Sequence, residues 1–552
     1  MQSSHSHLLA HAPEAIAQLQ AGLAAQGAEQ WSTARHHYQQ GIQQDPHWAG
    51  LYVNLCATYR ATQATQPAER ALDLALRLDP QLGIAHYYAG LLALDRGDRE
   101  TALRSLQTAL AQDPELPETY LTFGQVWIDQ AGLSSWLTWL RQNPPPTAIQ
   151  RLAPKQRAII AFWQGMAWDD NDSGISEPAK AEQSLRYAIT CDPGLGNAAA
   201  RLGKLLANQN RFEEALHITE QSLKYQPEDP FLRLNHALCL LSLGRWDEGW
   251  QAYEWRRYSD QNPWVQAAGP EWDGQPLKGT LLVLTEQGLG DTLQFSRYLA
   301  WARQRCDRVV LWCPQSLVRL METVAGVDQV FAGDDCHIPY LAQVSLLSLP
   351  RLARTTVEQI PAPIPYLRPI APLVNQRPLP RQTSQALAVG IVWQSGPHMK
   401  DAARKCMALD PLAIALQCPG VQLYSFQVDR SEAEAERLVT QGIVDLAPQI
   451  KDFADTAAYL AQIDLLVTVD TAICHLAGAM GKPVWTLLPY AADWRWLRDR
   501  PDTPWYPTMR LFRQSRPGSW AEPLDRVRSA LEGWARSGAE PFRSNPASHQ
   551  SR

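Results

Sequence analysis

The clearest structural pattern in this chain lies in the stretch 464-DLLVTVDTAICHLAGAMGKPVWTLLPY-490. An apolar, β-branched run ends on Asp470, small and apolar residues at helical spacing follow at once, and a second apolar run begins at Val484. A strand-like run, a helical pattern and another strand-like run are typical of parallel β-α-β structure. The stretch therefore predicts a strand, a helix and a strand, with Asp470 and Thr471 at the first strand-to-helix junction.

The same alternation extends on both sides of this stretch. It begins after Trp272, is interrupted by seven prolines within 360–380, and resumes at Ala388. We therefore predict two α/β lobes, at residues 278–360 and 386–530, joined by an extended proline-rich linker at 361–385. In open parallel sheets ligands bind beyond the carboxyl ends of the strands, so we expect the functional residues at strand-to-helix junctions that face a cleft between the lobes. The predicted strands are 281–284, 308–313, one near QVFAG, one near AQVSLLSL, 388–395, 421–428, one at IVDLA, one at DLLVTV and one at VWTLLP.

The first half of the chain is a repeat array. Asp-Pro pairs end at Pro46, Pro80 and Pro114, which are 34 residues apart, and the same spacing returns between Pro193 and Pro227. Glycine or alanine recurs at matching places upstream, which lets two helices approach closely, and each proline ends the second helix of its unit. We predict an array over residues 12–258, degenerate at 115–180, where WDDNDSGISEP is predicted to be a loop and 244–257 to be the last repeat. Such arrays form grooves that bind peptides or proteins, and the alternative is a structural brace for the second half.

The bulk properties exclude several classes of protein. The 552 residues suffice for two or three domains, and 45% hydrophobic with 19% charged residues indicate a globular chain. The net charge of −6 argues against a nucleic-acid binder, and there is no apolar run of about 18 residues that would span a membrane. The nine cysteines form no C-x-x-C pair and the N-terminus has no signal-peptide pattern, so we expect a cytoplasmic protein with reduced thiols. Residues 537–552 are expected to be a disordered tail.

The first junction with candidate functional residues is 284-LTEQGLGDTLQF-295. Gly288 and Gly290 permit a tight turn and close approach of the backbone to a ligand. A dinucleotide fingerprint would need glycine where Leu293 stands, and no Gly-Lys-Ser/Thr follows, so this is neither a Rossmann fingerprint nor a P-loop. Asp291 stands at the start of the predicted helix. It is either an N-cap or a carboxylate that takes a proton from an acceptor hydroxyl.

The second junction is the one at Asp470. Thr471 and Ala472 lie at the predicted helix start, where free N–H groups and the helix dipole favour an anion such as a diphosphate. His475 lies four residues after Thr471 and shares its helix face. Two structural alternatives remain open here, a capping role for Asp470 and a buried, hydrogen-bonded imidazole for His475.

The two junctions together resemble a known family. G-L-G-D in the first lobe and D-T-A-x-x-H-L-A-G-A-x-G-x-P in the second resemble the heptosyltransferase-like glycosyltransferases of family nine, which have the two-lobed GT-B fold. The resemblance covers residues 278–525. Repeats in front of such a domain are also similar in architecture to the O-linked N-acetylglucosamine transferases, which implies a tetratricopeptide solenoid followed by GT-B.

The resemblance implies roles for individual residues. Asp291 matches the general base, and Asp470, Thr471 and Ala472 match positions that hold the donor sugar and its diphosphate. The phosphate-binding lysine falls at Lys405, with Lys400 and Arg404 as competitors. The remaining residues expected to bind the donor are Gly288, Gly290, Gln394, Ser395 and His475.

The segment 490–514 is a further candidate. Trp494 and Trp496 could stack on a sugar or base and Arg495 could meet a phosphate, or these aromatic residues, together with Trp505, could pack the chain back across the lobes. The fold implied by the resemblance acts without a metal ion or another cofactor.

The sequence thus predicts an inverting glycosyltransferase that moves a sugar from a nucleotide-sugar donor to a hydroxyl on a protein presented by the repeats. Two alternatives remain open, a non-catalytic repeat scaffold and a nucleotide-sugar sensor.

Overall fold

The computed structural model of the chain describes residues 11–145, 147–170, 175–258, 269–333, 338–361, 363–381, 386–396 and 402–537. The chain forms two compact units, Met1–Arg201 and Leu202–Arg552. No helix of the described residues is long and apolar enough to cross a membrane.

Helix pairs make up the described part of the first half. Their close packing depends on the small residues at the predicted places. A Cβ atom at Gly22 would lie 2.3 Å from the Tyr38 ring, and one at Gly90 would lie 2.7 Å from Leu106 Cγ. The predicted helical array is therefore confirmed. Its helices are α1 (Pro13–Gly27), α2 (Trp31–Gln44), α3 (Ala49–Ala61), α4 (Thr65–Leu78), α5 (Gly83–Asp95), α6 (Arg99–Gln112), α7 (Pro117–Ala131), α8 (Leu133–Gln142), α9 (Pro154–Trp168), α10 (Pro178–Cys191), α11 (Gly196–Ala207), α12 (Phe212–Leu223), α13 (Pro230–Ser242) and α14 (Trp246–Tyr253).

The degenerate region contains regular helices as well. A tryptophan cluster packs against a small residue there: Trp136 contacts Phe123 and Trp163, and a Cβ atom at Gly124 would lie 2.7 Å from the Trp136 ring. The extra length lies in a 3-10 turn at Thr147–Arg151 and between α9 and α10. Between α9 and α10, where a loop was predicted, there are two short antiparallel strands, β1 (Asp169–Asp170) and β2 (Ile175–Ser176).

The first α/β lobe is a four-stranded parallel sheet in the order β5-β4-β3-β6. Its strands are β3 (Leu277–Leu284), β4 (Cys306–Trp312), β5 (Gln329–Phe331) and β6 (Ala342–Ser345). The helices between and after them are α15 (Leu289–Phe295), α16 (Leu299–Arg303), α17 (Val318–Met321) and α18 (Leu349–Leu352).

The second lobe is a six-stranded parallel sheet in the order β12-β11-β10-β7-β8-β9. The strands predicted from the apolar runs are all present, and β12 and the last helix are additional. Repeats followed by two parallel α/β lobes confirm the predicted GT-B-like architecture. The strands are β7 (Leu387–Val392), β8 (Val421–Ser425), β9 (Val444–Asp445), β10 (Leu465–Val469), β11 (Val484–Leu488) and β12 (Met509–Arg513). The helices are α19 (Ala371–Gln376) in the linker, α20 (Ala402–Lys405), α21 (Leu409–Leu416), α22 (Glu432–Thr440), α23 (Phe453–Leu460), α24 (Ala472–Ala479) and α25 (Ala521–Ser537). Residues 538–552, most of the expected tail, lie outside the described part of the chain.

The linker contacts both lobes. The Tyr366 hydroxyl donates to the carbonyls of Leu293 and Gln294, at 3.1 Å each, and its backbone N–H donates to the Ala479 carbonyl at 3.1 Å. These bonds join the ends of α15 and α24, which are the two helices that begin at the predicted junctions.

The last helix pair shares one core with both lobes. The Trp250 indole donates to the Thr355 carbonyl of the first lobe at 3.0 Å. Trp246 stacks on Trp505 of the second lobe with 5.0 Å between ring centroids. The apolar core of the second unit is therefore continuous from α13 and α14 into both lobes.

Candidate active site

The two predicted junctions meet in the structure. A Cβ atom at Gly290 would lie 3.0 Å from His475 Cδ2 and 3.3 Å from the Cα of Ala472. The absence of a side chain at Gly290 therefore helps the start of α15 to pack closely against the start of α24. This packing brings Asp291 and Asp470 into one buried group of charges.

Asp291 is held from two sides. One carboxylate oxygen accepts the Gly288 N–H at 2.8 Å and the other accepts a hydrogen bond from Arg495. The side chain is 16% exposed. Asp291 is therefore not the N-cap of α15, which is Gly288; it is the third residue of the helix, and its carboxylate accepts from the N-cap N–H. It is in addition one half of an ion pair between the lobes.

Arg495 links Asp291 to the second lobe. Its guanidinium also contacts the Asp493 carboxylate at 2.8 Å and donates to Gln294 Oε1 at 2.9 Å. Burial opposes the charge of Arg495, but the neighbouring carboxylates of Asp291 and Asp493 raise its pKa well above the ordinary value. The guanidinium is therefore a permanent cation at this site.

Asp470 forms the second ion pair. Lys405 Nζ lies 2.9 Å from its carboxylate, and Asp470 is 9% exposed. Burial raises the pKa of a carboxyl group, but the Lys405 ammonium and the nearby His475 outweigh it and lower the pKa of Asp470. Burial likewise opposes the charge on Lys405, and Asp470 and Asp493 reverse this and raise its pKa. Both partners are therefore charged.

The start of α24 has the geometry that was expected of it. Thr471 is the N-cap residue in extended conformation, and its side chain makes no capping hydrogen bond. The Thr471 hydroxyl instead lies 3.2 Å from that of Thr468. The first backbone N–H groups of the helix are thus not capped by the Thr471 side chain, and they begin beside Asp470.

His475 is a buried, neutral imidazole. Its Nδ1 lies 3.0 Å from the Tyr506 hydroxyl and its ring stacks on Trp496 at 5.2 Å. Burial is the main cause that lowers its pKa to about 4, against an opposite effect of the Asp470 carboxylate. His475 is thus the buried, hydrogen-bonded imidazole of the structural alternative. Tyr506 and Trp496 account for its surroundings without a bound nucleotide sugar.

The side chains after β7 have different partners. The Gln394 amide donates to Glu434 Oε1 of α22 at 3.2 Å. Ser395 lies beside Cys406, next to Lys405 in the chain. Arg404 bonds Asn208 at 2.6 Å and the Ala491 carbonyl at 3.3 Å. Of the competing basic residues, Lys405 pairs with Asp470, and Lys400 lies outside the described residues.

The two tryptophans considered for stacking are both buried. Trp494 is 3% exposed and packs against Trp250, Tyr253 and Phe295. Trp496 is fully buried against His475. A sugar or base could stack on either ring only after this segment moved, and the packing alternative accounts for both residues.

Asp470, Cys474 and His475 also form a group whose ligand atoms lie within 4.8 Å of one another. A metal ion would need the Asp470 carboxylate, which Lys405 already neutralises. Burial raises the pKa of the Cys474 thiol well above its ordinary value, and a protonated thiol is a poor ligand. The chemistry of these three residues therefore does not suit a metal ion. The Asp470 carboxylate is neutralised by Lys405 instead.

A cleft lies at the carboxyl edge of the first sheet, where ligands of parallel sheets bind. Its volume is about 480 Å³. The sequence analysis did not single out its residues, although all lie within two residues of the end of a predicted strand. They are Leu284, Thr285, Trp312, Cys313, Pro314, Gln315, Ala332 and Gly333.

Comparison with known proteins agrees with the predicted relationship. Residues 410–505 match the family model "Glycosyltransferase family 9 (heptosyltransferase)", which covers the junction at Asp470. Over 547 residues the chain is 28% identical to Protein FlbA of Caulobacter vibrioides (strain ATCC 19089 / CIP 103742 / CB 15), covering 87% of this chain and 90% of that protein. The predicted resemblance to family nine, made for residues 278–525, is thus confirmed over residues 410–505.

Solved structures of helical-repeat proteins are weakly similar. The TPR protein YrrB is 19% identical, with 35% of this chain and 95% of that chain covered and a TM-score of 0.28. PilF of Pseudomonas aeruginosa is 17% identical, with 38% and 96% covered and a TM-score of 0.27. Both scores are too low to support a shared fold, so the assignment of the repeats depends on the helix pairs themselves.

Proposed function

We propose that this chain transfers a sugar from a nucleotide-sugar donor to an acceptor hydroxyl, with Asp291 as general base. The family-nine region supports glycosyl transfer in general. One observation supports the specific site: the two strand-to-helix junctions bring Asp291 and Asp470 into one buried cluster that also holds the cations Arg495 and Lys405.

The donor diphosphate belongs beside the start of α24. Backbone N–H groups and the dipole at a helix N-terminus attract anions, and Lys405 adds a full positive charge there. When the glycosidic bond of the donor breaks, the leaving nucleoside diphosphate gains negative charge. Lys405 and Arg495 would then exchange their carboxylate partners for phosphate oxygens, and no metal ion is needed for this stabilisation.

The acceptor belongs in the cleft at the carboxyl edge of the first sheet. Thr285, which lines that cleft, begins the turn that leads to Asp291. The Asp291 carboxylate takes the proton of the acceptor hydroxyl, the oxygen attacks the anomeric carbon, and the nucleoside diphosphate leaves from the opposite face. A single displacement of this kind inverts the anomeric centre. The repeats would present the acceptor hydroxyl on a protein or peptide.

The two lobes must separate for this reaction, because in the structure Gly290 of the first lobe packs against Ala472 and His475 of the second. The same contact favours a second candidate function, a non-catalytic repeat scaffold whose transferase-like lobes stay closed.

The experiment that separates these functions is a thermal-shift screen against uridine, guanosine and adenosine diphosphate sugars. It is followed by an assay of donor hydrolysis and transfer with the stabilising donor. Stabilisation together with turnover supports the transferase. Stabilisation without turnover indicates a nucleotide-sugar sensor, and no stabilisation by any donor indicates the scaffold.

A further inference from the structure

We infer that the last repeat is part of the transfer site: Tyr253 and Arg256 are positioning residues that hold the turn which orients Asp291. The inference deepens the proposed function and, in its catalytic part, rests on it. The family match at residues 410–505 covers neither residue.

The turn in question is the segment 285–288, between β3 and α15. Gln287 at its centre has φ of 62°, a left-handed conformation that is uncommon for a residue with a side chain. Such a conformation persists where the surroundings hold it. The next residue, Gly288, donates the N–H that the Asp291 carboxylate accepts at 2.8 Å.

Tyr253 holds Gln287. Its hydroxyl lies 3.1 Å from Gln287 Oε1 and 3.0 Å from Nε2, and the Tyr253 ring is buried against Trp494. Burial is the main cause that raises the pKa of Tyr253 to about 12, so the hydroxyl keeps its proton at neutral pH.

Arg256 holds Glu286, the residue before Gln287 in the turn. Its guanidinium is fully buried and contacts Glu286 Oε1 at 2.7 Å, Ser348 Oγ at 2.8 Å and Ser345 Oγ at 3.2 Å. Glu286 is itself almost completely buried and accepts from Ser345 as well. Two opposite charges are thus removed from water to fix one residue of the turn, which adds little net stability but specifies a single geometry.

These contacts connect the repeat to the acid in three short steps. Tyr253 and Arg256 fix Gln287 and Glu286, these fix the Gly288 N–H, and that N–H fixes one oxygen of Asp291. Arg495 fixes the other oxygen from the second lobe. The carboxylate is therefore oriented from both sides, by the turn that the last repeat holds and by Arg495 of the second lobe.

Tyr253→Phe tests this inference, because it keeps the buried ring and removes only the hydroxyl. Hydrogen exchange of the peptide 285–291 in the full chain should become about tenfold faster, and kcat for transfer should fall about tenfold with the donor KM changed less than twofold. Tyr258→Phe is the matched control. It makes the same chemical change five residues further along the chain, at a side chain that is 68% exposed, and it should alter neither quantity.

Gln287→Ala removes the side-chain amide that is the hydrogen-bond partner of the Tyr253 hydroxyl. Its effects and those of Tyr253→Phe should be non-additive in the double variant, since both delete one interaction. Unchanged exchange of 285–291 in both single variants would overturn the inference. A wild-type protein without transfer activity would overturn the proposed reaction only, because the exchange measurement needs no turnover.

Discussion

Asp291 and Asp470 occupy corresponding places in the two lobes, each beside the start of the helix that follows a parallel strand. Each carboxylate is paired with a cation from elsewhere in the chain, Arg495 and Lys405 respectively. The two environments differ in one respect that bears on their roles. Arg495 has a second carboxylate partner in Asp493, whereas Asp470 is the only carboxylate that the described residues place in contact with Lys405 Nζ.

Replacement of Asp291 tests the general base. Asp291→Asn keeps the shape of the side chain and leaves Arg495 paired with Asp493, so the fold should be retained. We expect transfer to fall by about 10²–10⁴-fold, the range typical of a lost general base, while nucleotide affinity stays within about threefold. Initial rates and nucleotide titrations measure the two effects. Asp307→Asn, an exposed acid on β4, is the control, and undiminished turnover in Asp291→Asn would remove the assignment.

Replacement of Asp470 should act on the donor and on stability together. Asp470→Asn leaves the buried Lys405 cation without its carboxylate, which should lower the free energy of unfolding by about 3 kcal/mol. We expect donor affinity to fall about tenfold when measured by calorimetry well below the melting temperature. Asp499→Asn in the same lobe is the control, since that side chain is 90% exposed. Wild-type donor affinity in Asp470→Asn would show that Asp470 only neutralises Lys405.

His475 should make the second unit sensitive to acid. Its pKa is about 4 in the folded protein and near 6.5 when unfolded, so between these values the unfolded state binds more protons. Stability from this residue is complete above pH 6.5 and is lost as the pH falls towards 4, by about 3 kcal/mol in all. Denaturant midpoints measured from pH 7 to pH 4 should decline less in His475→Gln than in the wild type. Parallel pH profiles for the two proteins would contradict the buried neutral imidazole.

At the scale of the elements, α24 shows why small residues recur after Asp470. A Cβ atom at Gly478 would lie 2.6 Å from the ring of Tyr506, whose hydroxyl holds His475. Gly478 thus lets Tyr506, in the loop before β12, pack directly on α24, the helix whose start is the predicted diphosphate site. The partner in contact with Gly478 is a loop tyrosine and not a strand of the sheet.

Gly478→Ala should therefore destabilise the protein by about 1–3 kcal/mol, because a methyl group overpacks the buried contact with Tyr506. Thermal melting of the purified variant measures this effect. Gly533→Ala on α25 is a matched control, since no atom lies within 4 Å of the added Cβ. It should leave the melting temperature unchanged or raise it slightly through helix propensity.

The strands and helices of both lobes were predictable from local patterns. Buried parallel strands read as short β-branched runs, and helices between them are amphipathic, so β3, β7, β10 and β11 follow directly from the sequence. The strand β12 was missed because MRLFR alternates with arginines and follows a segment rich in tryptophan. Two regular helix pairs between 115 and 191 were hidden because their packing depends in part on Trp136 and Trp163, which the repeat pattern of small residues does not predict.

At the scale of the molecule, the last helix pair belongs to the core of the two α/β lobes. Trp246, Trp250 and Tyr253 are at most 2% exposed and lie in one apolar cluster with residues of both lobes. In addition, Asn210 of the preceding pair donates to the Tyr490 carbonyl at 2.6 Å, just after β11. The second unit is therefore a two-lobed α/β domain with repeat helices built into it.

Two truncated chains test whether the lobes need the last repeat helices in order to fold. A chain that starts at Gly269 lacks α13 and α14 and would expose the apolar surfaces that Trp246 and Trp250 cover, so we expect it to aggregate. A chain that starts at Gly196 keeps these helices and should remain soluble with a cooperative melting transition. Size-exclusion chromatography and calorimetry of the two chains decide the point. A well-folded monomer from Gly269 onward would show that the lobes need no repeat helices.

The sequence by itself determined the repeat period, the two parallel lobes, the family-nine motif and the two acids at strand-to-helix junctions. These features are local, since periodicity, turn residues and a short motif are read within a few tens of residues. Only the tertiary structure decided which charges meet. Asp291 pairs with a residue 204 positions away and Asp470 with one 65 positions away. Such pairs depend on how two sheets and the last repeat pack around one core, and no spacing along the chain encodes that packing directly.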